Sequence, residues 1–188
     1  MPNSGRLTLV AGPIGNLGDM TDRVRQALTE ADFWIVEDSR VSGKLQSVLG
    51  VKKRMTVLNE HSSPGKITAI LSELEESHGA LLTDAGTPGI SDPGAELVDA
   101  CYGEDLPVDS MPGPSAVTMA LSLSGFFAQR FAFLGFLGRK SGAIREVVEP
   151  FAESTMTLVL FESPHRFRKL LPVLFESLGS RRYAICRE

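Results

Sequence analysis

With 188 residues, 43% of them hydrophobic and 22% charged, the chain has ordinary globular composition and enough length to bury a core without disulfides or metal. A net charge of -4 gives no sign of free nucleic-acid binding, although a local basic face is compatible with it. Cys101 and Cys186 have no His or Cys partner at metal-ligand spacing, which points to a reduced protein without a metal site. The opening MPNSGRLTLV shows no secretory pattern, and no apolar run approaches the ~20 residues of a membrane span. A cytoplasmic location is expected.

Short apolar runs alternate with amphipathic segments. Residues 7–12 (LTLVAG) are expected as a buried strand, followed by a helix capped by Thr21 and ending near Glu30. Residues 33–38 form the next strand, 41–49 a helix and 55–59 a third strand. Ile67, Ile70, Leu71 and Leu74 have helical spacing, and 79–84 (GALLTD) is a fourth strand. Asp92 is expected to cap a helix with Pro93 at its first position, running to Tyr102. A short strand (LPVDSM) and an apolar helix from Ser115 to about Leu123 follow.

This alternation implies a parallel α/β sheet with right-handed crossovers. Ligands of such folds sit at the carboxyl ends of the strands. The special segments fall there: GPIGNLGD, EDSR, NEHSSPG, DAGTPGISDPG and PGPSA, one after each strand. From SLSGFFAQ the pattern restarts, with strands at 130–136, 156–163 and 181–188 and helices at 141–152 and 164–178. The expected domains are 1–122 and a smaller α/β domain, 123–188, incomplete at its end.

The glycines of GPIGNLGD lack G-x-G-x-x-G spacing, and no G-K-[ST] follows, so it is not a phosphate loop. DAGTPGISDPG carries no basic residue; its glycines let main chain approach a ligand, with Asp84 facing it. A helix-capping loop accounts for its second half but not for Gly86-Thr87-Pro88. PGPSA is either a second wall of the same cleft or a simple cap at Ser115. Asp38, Glu60 and His61 supply carboxylates and an imidazole at this edge, against a reading in which they are merely solvated. Lys140, Arg166, Arg168 and Lys169 are candidates for phosphate contacts or a solvated basic face. No metalloprotease, redox or hydrolase motif is present.

In order along the chain, AGPIGNLGDMT, EDSR, NEH, DAGTPGISDPG, PGPSA, GFLGRKSG, FESPHR and CRE resemble the ribosomal RNA small subunit methyltransferase I family, a branch of the tetrapyrrole methylases. The resemblance covers residues 7 to 188. It implies a two-domain tetrapyrrole-methylase-like fold, a homodimer, and S-adenosylmethionine held between the domains. The implied reaction is 2′-O-methylation of a cytidine in small-subunit ribosomal RNA. It carries cofactor contacts onto Pro13, Asp84, Ala85, Gly86, Thr87, Ile90, Ser91, Ser115 and Ala116, with Phe161 and Arg187 from the second domain.

Where Gly12 and Ser39 stand, the family commonly has Thr, and its members continue past Arg187-Glu188, so a C-terminally truncated chain is expected. The base is expected from Asp38, Glu60 or His61, with Lys140 or Arg166 placing phosphate. Lys52-Lys53-Arg54 and Arg181-Arg182 are expected patches for docking on a ribosomal subunit. Two alternatives stay open: a small-molecule tetrapyrrole methyltransferase, and a non-catalytic S-adenosylmethionine-binding module.

Overall fold

Phe33–Val36 and His78–Leu82 are buried at every position. Such runs suit parallel strands covered by helices on both faces. The structure is a computed structural model describing residues 5–187; residues 1–4 of the opening stretch and Glu188 of the CRE motif lie outside the described residues. Its first ten strands and α-helices are β1 (Arg6–Val10), α1 (Asp22–Glu30), β2 (Phe33–Val36), α2 (Ser39–Leu49), β3 (Arg54–Val57), α3 (Pro64–Leu74), β4 (His78–Leu82), α4 (Ala95–Gly103), β5 (Val108–Met111) and α5 (Ala116–Ser124). The five strands pair in parallel in the order β3-β2-β4-β1-β5.

Side chains alternate across a strand, and β2 shows the consequence. Trp34 and Val36 pack with Val24, Ala27 and Leu28 of α1, while Phe33 and Ile35 pack with Ile70 and Leu74 of α3 and Leu97 of α4. The buried Trp34 indole N–H donates to the Leu28 carbonyl at 2.9 Å, so its one polar atom is satisfied. Cys101 sits in the second of these cores, where burial pushes its thiol up to about 11.

The strand order inserts β4 between β2 and β1. The crossover leaving β1 and the one leaving β4 therefore run in opposite directions. That reversal opens a crevice at the carboxyl ends of β1 and β4.

Three expectations need correction. The second helix starts at Ser39 instead of 41, and Asp38 caps it by accepting from the Arg40 amide at 2.8 Å. The fourth helix starts at Ala95 with Gly94 as its cap, not with Asp92 and Pro93. The cause is local: Asp92 accepts from the Thr83 hydroxyl at 3.1 Å, and Gly94 has φ 129°, which no helical residue adopts. A Cβ on Gly94 would lie 2.7 Å from Leu81 Cδ2.

The chain divides between Ala116 and Val117 into two compact units. The second contains β6 (Phe131–Phe136) and β7 (Thr157–Phe161), a parallel pair, with α6 (Ser141–Val148) and α7 (Pro164–Leu178). Its core is Leu137, Ile144, Val148, Leu170 and Val173.

The third correction is here: residues 181–187, expected as a strand, form none among the described residues. A strand needs a neighbour to complete its ladder. Instead the Arg181 guanidinium donates to the carbonyls of Leu178 at 3.1 Å and Phe151 at 2.8 Å, and Tyr183 and Ile185 are 68% and 61% exposed. Cys186 is also exposed.

Gly94→Ala is expected to cost about 2–4 kcal/mol, from backbone strain plus the clash with Leu81. Urea unfolding of both proteins checks it.

A second prediction concerns His78, which is 3% exposed. Arg6 donates to its Nδ1 at 3.2 Å, so the ring proton sits on Nε2 and is donated to the Thr8 hydroxyl at 2.9 Å. Burial first, and Arg6 second, lower its pKa. The unfolded state thus takes up a proton near pH 6.5 that the fold resists, and stability falls as pH drops below that value. His78→Gln should lose less stability than wild type between pH 7.5 and 5.5, as read from denaturation midpoints at the two pH values.

Candidate functional site

The turns after β1 and β4 are stitched together by main chain. Gly12 N–H donates to the Gly86 carbonyl at 2.8 Å, and Gly86 N–H returns the bond to Gly12 at 3.2 Å. This pairing is antiparallel although the strands are parallel, so one chain has already reversed. The turn after β5 joins them. A Cβ on Gly113 would stand 2.8 Å from the Ala11 Cβ, so only glycine permits that approach. The Thr87 hydroxyl donates to the Pro114 carbonyl at 3.4 Å.

Toward β2 the closure is made by carboxylates. Glu37 accepts from the Asp84 main-chain N–H at 3.3 Å, and the Asp84 carboxylate takes a main-chain hydrogen bond from Asp38. Burial raises the pKa of Glu37, of Asp84 and of Asp92. Mutual repulsion adds to it: Asp84 and Asp92 raise Glu37, and Asp84 raises Asp92.

The crevice edge is thus lined by main chain and carries negative potential. That suits a small cationic ligand and disfavours a phosphate-bearing one.

Among the residues singled out from the sequence, Asp84 and Ala85 are exposed, Gly86 is buried, and Pro13, Thr87 and Ser115 are half-buried. These lie together at the ends of β1, β4 and β5, with the exposed Ala116 opening α5. Ser91 is exposed with φ 60°. Ile90 lines a shallow apolar groove with Leu9, Val98 and Tyr102.

Asp38 is committed to its cap and to Arg40, whose Nε lies 3.0 Å from both carboxylate oxygens; that partner lowers its pKa to about 2. A carboxylate so stabilised is a poor proton acceptor. Glu60 and His61 lie 3.5 Å apart on the loop after β3, with side chains 84% and 83% exposed.

Lys140, Phe161 and Arg187 belong to the second unit. Lys140 and Arg187 are exposed, and the Phe161 ring packs 4.9 Å from Phe133. Of the basic patches, Arg54 pairs with Glu73 and Arg182 stacks on Phe126 at 5.0 Å, while Lys52 is exposed. Among the described residues no group of three or more His, Cys, Asp or Glu is placed to hold a metal, and no helix is long and apolar enough to cross a membrane.

Sequence reasoning passed over Glu37 in favour of its neighbour Asp38. A signal was present: a carboxylate directly following a four-residue buried strand is half-buried by position.

Residues 6–188 match the family of tetrapyrrole (corrin/porphyrin) methylases. The chain is 40% identical to ribosomal RNA small subunit methyltransferase I of Thermotoga maritima over 98% of its length and 83% of that relative. It is 42% identical to the Mycobacterium tuberculosis protein of the same name, over 99% of this chain and 67% of that one. The Synechocystis relative is 40% identical, but the chain spans only 64% of its length. In fold it is similar to a crystal structure of diphthine synthase, with TM-score 0.72 and 17% identity, covering 91% of this chain and 71% of that one.

Glu37→Gln keeps the acceptor for the Asp84 amide and removes one clustered charge. It is expected to raise the Tm at pH 8 by about 1–2 °C. A raised carboxyl costs stability only while ionised, so the gain should shrink as pH falls toward the ordinary Glu value of 4.5 and vanish below it. Thermal melts at both pH values check the sign.

Proposed function

Because the chain belongs to the tetrapyrrole methylase family, in its ribosomal RNA small subunit methyltransferase I branch, we propose that it methylates the ribose 2′-hydroxyl of a cytidine in small-subunit ribosomal RNA. Methyltransferases of this family use S-adenosylmethionine. The reading includes action in the cytoplasm, as a homodimer, on RNA in an assembled subunit.

The observation that carries it is the main-chain crevice at the β1/β4 switch point, bordered by Glu37, Asp84 and Asp92. Negative potential over small turns fits a sulfonium. Pro13, the 84–87 turn, Ile90, Ser91, Ser115 and Ala116 are the proposed holders. The bound cofactor supplies an electrophilic methyl group.

The residues have three tasks. The paired turns hold the reacting groups in line, and positioning of that kind is worth about 7–11 kcal/mol. A proton acceptor takes the ribose hydroxyl proton, worth about 10²–10⁴-fold. With Asp38 held near 2, the His61–Glu60 pair is the better acceptor. Lys140 places a substrate phosphate. The ribose hydroxyl itself distinguishes RNA from DNA.

The test uses labelled S-adenosylmethionine and undermethylated small ribosomal subunits. Label on a cytidine ribose, resistant to alkaline cleavage, is the expected result. Label only on a porphyrinoid acceptor, or binding without transfer to any acceptor, overturns it. His61→Gln should lower kcat about 10²-fold or more while leaving S-adenosylhomocysteine affinity unchanged.

A further inference from the structure

Glu162 is the first residue after β7, and its side chain is 4% exposed. Oε1 accepts from the Ser163 main-chain N–H at 2.7 Å. Oε2 is buried without a hydrogen bond and faces Nη2 of Arg166 at 3.2 Å, one turn along in α7. A buried carboxylate left unpaired is strongly disfavoured, so this charge holds Arg166 in place.

The same Arg166 nitrogen donates to two carbonyls just past β6, Leu137 at 3.0 Å and Gly138 at 2.9 Å. Arg166 is therefore turned inward, which corrects the expectation that it meets phosphate. Its contacts tie the end of β7 to the end of β6. The tied residues lead directly into Arg139 and Lys140, at the start of α6. The direction in which the chain leaves β6, and so the origin of the exposed Lys140 side chain, is set by this tie.

We propose that Glu162 and Arg166 are a positioning pair that fixes the 137–140 turn and thereby aims Lys140 at a substrate phosphate. The inference rests on the RNA-methylation reading for the role of Lys140. All three contacts converge on Nη2, and a lysine, whose side chain is one atom shorter, places its ammonium short of that point.

The test compares the whole chain with Arg166→Lys, Glu162→Gln, Lys140→Ala and the Arg166→Lys/Lys140→Ala double variant. Amide hydrogen exchange over residues 138–141 should accelerate about tenfold in Arg166→Lys and Glu162→Gln. The KM for small subunits should rise roughly tenfold in both, with kcat within about twofold. On the Lys140→Ala background, Arg166→Lys should add less than about twofold.

Unchanged exchange, or KM effects that multiply in the double variant, overturns the proposal. Glu162→Gln keeps the size and the Ser163 bond, so it gives an answer even if Arg166→Lys unfolds. Wild-type chain that transfers no methyl group overturns the methylation reading and the role of Lys140 with it, while exchange decides the tie by itself.

Discussion

The reciprocal hydrogen bonds between Gly12 and Gly86 are the constraint on which the first unit's candidate site depends. They form only because β1 and β4 are neighbours, and those strands are neighbours only because β4 returns to the middle of the sheet. The two turns are thereby tied to each other at the main chain. The turn after β5 closes against Ala11 because Gly113 has nothing to collide with, and the Glu37–Asp84 contact closes the side toward β2. The crevice is a product of strand order first and of side chains second.

Much of this was legible in the sequence. Buried runs at 33–36 and 78–82 announced parallel strands, and five small or polar turns after five strands announced the edge that carries the site. What escaped was any residue whose partner lies outside the element it was assigned to. Asp92 had the composition of a helix cap, but Thr83 claims its carboxylate. Arg166 looked like a free cation, yet carbonyls 28 and 29 residues earlier hold its donors. Residues 181–187 had strand composition, and composition says nothing about whether a neighbouring strand is there to pair with them. Local propensity predicts what a segment prefers, and distant partners decide what it does.

The electrostatics divide between tuned and committed groups. Asp38, stabilised by Arg40 and by its cap, is held far below neutral and serves the start of α2. Glu37, Asp84 and Asp92 are raised, so the fold carries their charge at a cost. A site that tolerates such a cost has potential available for a cation. His78, at the amino-terminal end of β4, is the opposite case: neutral and bonded on both ring nitrogens. It serves the sheet alone.

The two cysteines differ sharply in reactivity. Cys101, buried and held near 11, stays a protonated thiol at neutral pH and is sealed from reagents. Cys186 is exposed, in the segment that follows α7. Native chain therefore presents one alkylatable sulfur, and a maleimide dye would attach at a single defined place without engineering. Appearance of a second labelled site would then serve as a clock for opening of the core beneath α4.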